Sequence, residues 1–281
     1  MKINQRKELL RFLAEDVGKG DITSNLLPKK IITARIISKQ NGILAGVKFA
    51  KEIFCLKDCK VKVLKQDGSK VRSNQAVLEI SGYAKSVLTC ERTVLNLLTR
   101  MSGIATQTNN LVEKIRKVNS KSHVFATRKT APGLRFFDKE AVKIGGGQKH
   151  RMSLDDMVMI KDNHLAVDSI TNLIRKAKKK YKKIEIEVEN QNDAILAARE
   201  GATIIMLDNF SPKEITKTIT RLKKSGLRNK VLLEASGGIN SKNIQAFAKT
   251  GVDMISVGQI TNNVKGIDFS LEVSQVSFVL Y

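Results

Sequence analysis

The chain has 281 residues, 42% of them hydrophobic and 27% charged, a balance that excludes a disordered or fibrous protein and leaves room for one or two globular domains with real cores. No apolar run approaches the roughly 20 residues of a membrane span, and MKINQRKELLRFL lacks the apolar centre of a signal peptide, so a cytoplasmic protein is expected. A formal charge of +23 points to anionic partners, but with no tryptophan and 5% aromatic residues the stacking platforms of a nucleic-acid binder are scarce.

Residues 1–107 read as a mixed α/β domain. Leu9, Leu10, Phe12 and Leu13 form the apolar face of an opening helix, followed by EDVGKGDIT, whose glycines suggest a loop. Alternating segments at Ile31–Ser38, Val61–Leu64 and Val77–Ile80, with turn signals at Asn41-Gly42 and Asp67-Gly68, predict a small sheet. Cys55, Cys59 and Cys90 supply neither an even disulfide framework nor a zinc-ligand set, and read as buried or incidental thiols. From Tyr83 the apolar residues Val87, Leu88, Val94, Leu95, Leu98 and Met101 recur at helical spacing, with Arg92 on the polar face. Gly103 is expected to end or kink this helix, and a second helical stretch to run to about Asn119.

Residues 108–281 repeat one pattern, in which short apolar runs end in polar residues. His123–Ala126 precede Thr127-Arg128-Lys129; Met157–Ile160 precede Lys161; Ile184–Val188 carry Glu187; Thr203–Leu207 precede Asp208; Val231–Leu233 precede Glu234-Ala235-Ser236-Gly237-Gly238; Met254–Val257 precede Gly258. Helices separate the later runs, one of them marked by Ser211-Pro212-Lys213-Glu214 as N-cap, first-turn proline and capping-box glutamate. Strand and helix in alternation predict a parallel sheet, and polar residues at each strand's C-terminal end predict one shared mouth. The expected fold is therefore an N-terminal α/β sandwich domain followed by a TIM-like α/β barrel, complete or incomplete, since six strands are clear where a full barrel has eight. The C-terminal tail, about 266–281, is a candidate to complete the first domain.

In IEIEVEN, period two sets Glu185, Glu187 and Glu189 on one face, pointing into the mouth, where Glu187 with Asp208 could hold ribose hydroxyls or Mg²⁺-bound waters. The loops Ser236-Gly237-Gly238 and Val257-Gly258-Gln259 follow late strands, the usual place for a phosphate in such barrels. Between Thr127 and His164 the cations come in groups beside backbone breaks: Arg128-Lys129 near Pro132-Gly133, then Lys149-His150-Arg151 after three glycines, then Lys161. Guanidinium forks, ammonium point charges and free N–H groups together suit a small polyanion. Lys139, Lys143 and Lys149 read instead as charges on a basic surface loop.

TRKTAPGLR, GGGQKHR and IKDNH, in this order, with EDVGKGDIT, ERTVLNLLTRMSGIAT, IEIEVEN, MLDNF, ASGGI and GVDMISVGQ around them, resemble the quinolinate phosphoribosyltransferase family over nearly the whole chain. The resemblance implies transfer of phosphoribose from 5-phosphoribosyl 1-pyrophosphate to quinolinate, with Mg²⁺, giving nicotinate mononucleotide, pyrophosphate and CO₂. It implies that Thr127, Arg128, Lys129, His150, Arg151 and Lys161 gather around the dicarboxylate and phosphates. Lys129, Lys161, Glu187 and Asp208 would be catalytic, the last two at the ribose and metal, and Ser236, Gly237 and Gly258 would hold the 5′-phosphate. Arg92 would enter the site of a neighbouring subunit in a homodimer, or in a hexamer built as a trimer of dimers. Two positions depart from many relatives: Ala126 stands where Asp is common, and Lys149, where Asn is common, is expected to depress the pKa of His150. Two alternatives stand beside this reading. A molybdate-operon paralogue would tend to lose the lysine and asparagine kept here as Lys161 and Asn163, and a non-enzymatic RNA-binding protein would use the +23 charge.

Overall fold

In the computed structural model, which describes residues 5–119 and 121–277, the chain opens with helix α1 (Gln5–Val17), strands β1 (Ile31–Ser38) and β2 (Gly42–Ile43), and helix α2 (Val47–Cys55). Strands β3 (Lys60–Val63), β4 (Lys70–Val71) and β5 (Gln75–Tyr83) lead to helix α3 (Ala84–Arg116). Then come β6 (His123–Phe125), α4 (Arg135–Ile144), β7 (Val158–Ile160), α5 (Asp162–Leu165), α6 (Ile170–Lys178), β8 (Ile184–Val188) and α7 (Gln191–Glu200). The last elements are β9 (Ile204–Asp208), α8 (Pro212–Lys224), β10 (Leu232–Ser236), α9 (Ile244–Lys249), β11 (Met254–Ser256), α10 (Gln259–Asn262) and β12 (Phe269–Ser277). Two compact units result. The first holds the described residues up to Gln107, with Phe136–Gly145 and those from Val264 on; the second holds Thr108–Arg135 and Gly146–Asn263. Residues 278–281 of the predicted C-terminal tail lie outside the described residues.

The first unit is built on an antiparallel sheet in the order β12-β1-β5-β3. Side chains alternate across a strand, and along β1 that alternation buries Ile32, Ala34, Ile36 and Ser38. Strand β12 pairs with β1 from Ser38↔Phe269 to Ile31↔Ser277, so the end of the chain is hydrogen-bonded into the sheet of its beginning. Helix α3 is continuous over 33 residues, so Gly103 does not end it and no separate second helix follows. The glycine serves close approach: a Cβ there would stand 2.2 Å from the Lys265 carbonyl oxygen and 2.9 Å from Gly266 Cα. Also on α3, Arg100 grips the fully buried Asp138 through two bonds, Nε to Oδ1 at 2.7 Å and Nη2 to Oδ2 at 2.9 Å. Phe12, Phe49, Phe136 and Phe137 stack edge to face or tilted, with centroids 5.0–6.1 Å apart. Lys139 is another correction, because it lies on α4 and is fully buried rather than on a surface loop. Helical spacing carries it inward with Ala141 and Val142, and its aliphatic stem becomes core material. Lys143 of the same helix is exposed, as expected.

The second unit is a parallel six-stranded sheet in the order β6-β11-β10-β9-β8-β7 with helices between the strands, a TIM-like but incomplete barrel. Strands covered on both faces read as unbroken apolar runs, and β9 and β11 bury nearly every residue. Ser211 caps α8, accepting from Glu214 N–H at 3.3 Å while Glu214 Oε2 accepts from Ser211 N–H at 2.7 Å. The lysine-dominated run after Ile174 occupies the last turn of α6 and the exposed residues beyond it. There Arg175 pairs with Glu200 and Lys176 with Asp168, and cations at a helix C-terminus are favoured by its dipole. Among the described residues no helix is long and apolar enough to cross a membrane.

Candidate active site

The six parallel strands end around one cavity of about 390 Å³. Each contributes a lining residue at or just past its C-terminal end: Thr127 after β6, Lys161 after β7, Glu187 on β8, Asp208 on β9, Ser236 on β10 and Ser256 on β11. In-register parallel pairing makes this inevitable, since Glu187 is level with Met206, and Asp208 with Ser236. Arg128, Lys129, His150 and Arg151 complete the polar wall, with Ala126, Met159 and Met206 as the apolar part.

Four cations therefore face a small volume. Arg151 is 8% exposed, and burial first, then the neighbouring Arg128, lowers its pKa. Arg128 Nε is buried and makes no hydrogen bond to the described residues. Arg151 donates through Nη1 to the Met157 carbonyl at 3.4 Å, and two guanidiniums lining one cavity, one of them with a buried Nε lacking an acceptor among the described residues, suit an anion. Lys161 is paired with Glu187, while its backbone N–H donates to His164 Nδ1 at 3.0 Å at the start of α5. Thr127 Oγ1 accepts from Lys129 N–H at 3.1 Å, and Lys129 O accepts from Thr261 Oγ1 at 2.8 Å, which fixes the loop carrying both cations.

His150 adopts a left-handed backbone conformation (φ +53°), unusual for a side-chain-bearing residue. That turn brings its Nδ1 to 2.8 Å from the N–H of Arg151, which donates to it. On the other edge, Nε2 lies 3.1 Å from Glu234 Oε2 and 3.3 Å from Glu185 Oε2. Burial lowers the His150 pKa, but hydrogen bonding to Glu185 and Glu234 outweighs it and pushes the value up to about 9. The depression expected from Lys149 is thus overturned, because two buried carboxylates stand nearer in effect than one half-exposed ammonium. Burial holds Glu185 above its ordinary 4.5, with His150 pulling the other way. Sequence reasoning noticed Glu185 only as part of an alternating strand, and Glu234 only as the residue before Ala235-Ser236. Their signal was the presence of charge inside parallel strands, where apolar residues belong.

The chain matches the model of the quinolinate phosphoribosyl transferase N-terminal domain over residues 21–102 and that of the C-terminal domain over residues 104–272. The chain belongs to the quinolinate phosphoribosyl transferase family. A relative from Archaeoglobus fulgidus, described as a probable nicotinate-nucleotide pyrophosphorylase (carboxylating), is 46% identical over 91% of this chain and 99% of its own. The solved structure of the nicotinate-nucleotide pyrophosphorylase from Francisella tularensis superposes with a TM-score of 0.89 at 41% identity, covering 96% of both chains. That from Ehrlichia chaffeensis gives 0.91 at 36% identity, covering 98% of this chain and all of the other.

For a quinolinate phosphoribosyl transferase, a place for phosphate is needed, and the structure divides the residues expected there. Ser236 lines the cavity, whereas Gly237, Gly238, Val257, Gly258 and Gln259 lie in the following loops and are not among the lining residues. Gly237 has φ +93°, and a Cβ on it would meet Asn209 Oδ1 at 2.2 Å; Asn209 N–H donates to Ser236 O at 2.9 Å, so the ends of β9 and β10 are tied together. Arg92 is exposed on α3 in the first unit and does not line this cavity. A hard divalent cation fits the donor chemistry, because Glu187 and Asp208 offer only oxygen from adjacent strand ends of the same wall.

Proposed function

We propose that the protein transfers the phosphoribosyl group of 5-phosphoribosyl 1-pyrophosphate to the ring nitrogen of quinolinate and releases the 2-carboxylate as CO₂, yielding nicotinate mononucleotide and pyrophosphate. The observation that carries this reading is Arg151, 8% exposed, beside the half-buried Arg128, with Lys129 and Lys161 lining the same cavity as Glu187 and Asp208. As pyrophosphate departs from C1′, positive character develops at the anomeric carbon, and oriented carboxylates there stabilise it. The ring nitrogen's lone pair forms the new bond. The resulting pyridinium accepts the electron pair left when the C2–carboxylate bond breaks, and a proton then takes the place of CO₂ at C2. No nucleophilic side chain is needed; clamps that align two anions supply much of the rate.

In this reading Arg128, Arg151 and Lys129 hold the dicarboxylate and phosphates, Lys161 and Glu187 face the reacting centre, and Glu187 with Asp208 would hold Mg²⁺ and ribose hydroxyls. Bound Mg²⁺ would neutralise charge on the pyrophosphate. The assembly we propose is a homodimer, alone or within a hexamer, with Arg92 completing the partner's site. The cytoplasm is its compartment, a reading that the three free cysteines support. Labelled CO₂ released from carboxyl-labelled quinolinate, strictly dependent on both 5-phosphoribosyl 1-pyrophosphate and Mg²⁺, is the expected result. Folded protein that releases none, or releases it without the phosphoribosyl donor, would sink the proposal.

A further inference from the structure

The loop that carries Arg128 and Lys129 leaves β6, and the loop that carries Gly258 leaves β11. These strands are neighbours, paired from His123↔Met254 to Phe125↔Ser256, and one residue on Val257 N–H still donates to Phe125 O at 3.1 Å. Beyond that point side chains take over from the ladder. Thr127 Oγ1 accepts from Lys129 N–H at 3.1 Å, and Thr261 Oγ1, 132 residues along the chain in α10, donates to Lys129 O at 2.8 Å.

Thr261 is 1% exposed, and its hydroxyl has one hydrogen with two carbonyls in reach. A threonine in a helix ordinarily bonds back to a carbonyl in the turn before it, which here is Gly258 O at 3.3 Å. Hydroxyl bonds to oxygen cluster near about 2.7–2.8 Å, so the hydrogen goes to the remote Lys129 O at 2.8 Å instead. The local bond would also be redundant, because Gly258 O already accepts from the N–H groups of Thr261 and Asn262, each at 3.1 Å.

Gly258 acts on the same lysine. Its φ of −66° is one that any residue adopts, so backbone conformation does not call for glycine there. Space does: a Cβ would stand 3.2 Å from Lys129 Cδ and 3.6 Å from Thr127 Oγ1. The aliphatic stem of Lys129 thus runs past the place a side chain at this position would fill.

We propose that Thr261 is a positioning residue for Lys129. Its buried hydroxyl holds the lysine's C=O while Thr127 holds its N–H, Gly258 leaves the stem room, and the ammonium is presented to the anion that the cavity binds. Lys129 is an exposed residue at the edge of that cavity, with side-chain freedom to lose when it grips an anion; a fixed backbone lowers the cost of ordering it. That the anion is a substrate phosphate or ring carboxylate rests on the function proposed above.

The test is a pair of substitutions at Thr261, made in the wild type and in Lys129→Ala, with single-turnover release of labelled CO₂ to read the slow variants. Thr261→Val keeps the shape and deletes the hydroxyl; it should lower kcat/KM by about tenfold, the scale of one lost hydrogen bond, and by no more than Lys129→Ala itself. Thr261→Ser keeps the hydroxyl and should stay within about threefold of wild type. In the Lys129→Ala background the Val substitution should cost less than about twofold, because residues that act through one another are non-additive. Hydrogen exchange read by mass spectrometry should be faster over residues 127–130 in the Val variant than in wild type or the Ser variant. The proposal is overturned if Thr261→Val matches wild type, if Thr261→Ser falls as far, if the Val loss is undiminished without Lys129, or if exchange over 127–130 is unchanged. A Val variant that fails to fold while the Ser variant folds would overturn it too, since the hydroxyl would then support the whole unit rather than one lysine. Exchange needs no turnover, so a wild type that releases no CO₂ while the Val variant loosens 127–130 would sink the proposed function and leave the tie between Thr261 and Lys129 standing.

Discussion

Arg151, almost wholly buried, and Lys161, whose side chain is 39% exposed, both face the cavity. Replacing Arg151 by alanine removes a desolvated charge partner of an anion, a loss of about 2–5 kcal/mol, seen as a tens- to thousands-fold fall in kcat/KM, and the more solvated Lys161 should fall toward the low end of that range. Lys179, exposed beyond the end of α6, should tolerate the same change with no measurable effect on kinetics. Equal losses at Lys161 and Lys179 would mean a general disturbance and would undo the assignment. Glu185 adds a pH dependence of stability whose sign follows from its raised value. Folding retains a proton that the unfolded chain loses near 4.5, so the contribution is complete below that pH and is lost as pH rises through the folded value. Urea unfolding of Glu185→Gln at mildly acidic and mildly alkaline pH should give a flatter profile than wild type; identical profiles would remove Glu185 from the account.

Two elements draw their order from single residues with long reach. On α3, Gly103 lets the backbone at Lys265 and Gly266 pass within contact distance. The methyl of Gly103→Ala would collide with the Lys265 carbonyl, and overpacking of this kind costs about 1–3 kcal/mol, measurable as a lower urea midpoint at constant slope. Asp138 on α4 is a buried carboxylate held at both oxygens by Arg100. Asp138→Ala removes both of these acceptors from Arg100 and should destabilise by about 3–5 kcal/mol. Substitution of Glu15, exposed in the first helix, is the neutral comparison; if Asp138→Ala is equally mild, the pair is not holding α3 and α4 together.

At the scale of the whole molecule, the surplus of +23 is spread over exposed helix faces as well as the cavity. The proposed assembly makes a sharper prediction. Arg92 sits in the first unit and the cavity in the second, so mixed dimers of Arg92→Ala and Lys161→Ala would each contain one site with both residues intact. Unfolded and refolded together, the two inactive variants should recover roughly a quarter of wild-type activity, by counting over a twofold dimer. A mixture as inactive as its parents, under conditions where wild type refolds, would return Arg92 to the status of a solvated helix charge.

The sequence by itself determined the parts of this protein that are written locally. Apolar runs followed by Thr127, Lys161, Glu187, Asp208 and Ser236 could be read as strands opening on one mouth, because in-register parallel strands put consecutive strand ends side by side. Ser211 and Glu214 could be read as a helix start for the same reason: the partners are three residues apart. Tertiary structure alone decided what depends on distant neighbours. Gly103 looked like a helix breaker until the backbone at Lys265 occupied the space a side chain would need. Lys139 looked solvated until α4 turned it into the core. The pairing of His150 with Glu234 spans 84 residues, and the charge balance among His150, Glu185 and Glu234 is set by burial and by one another, physical conditions that exist only once β8, β10 and the loop before β7 have met.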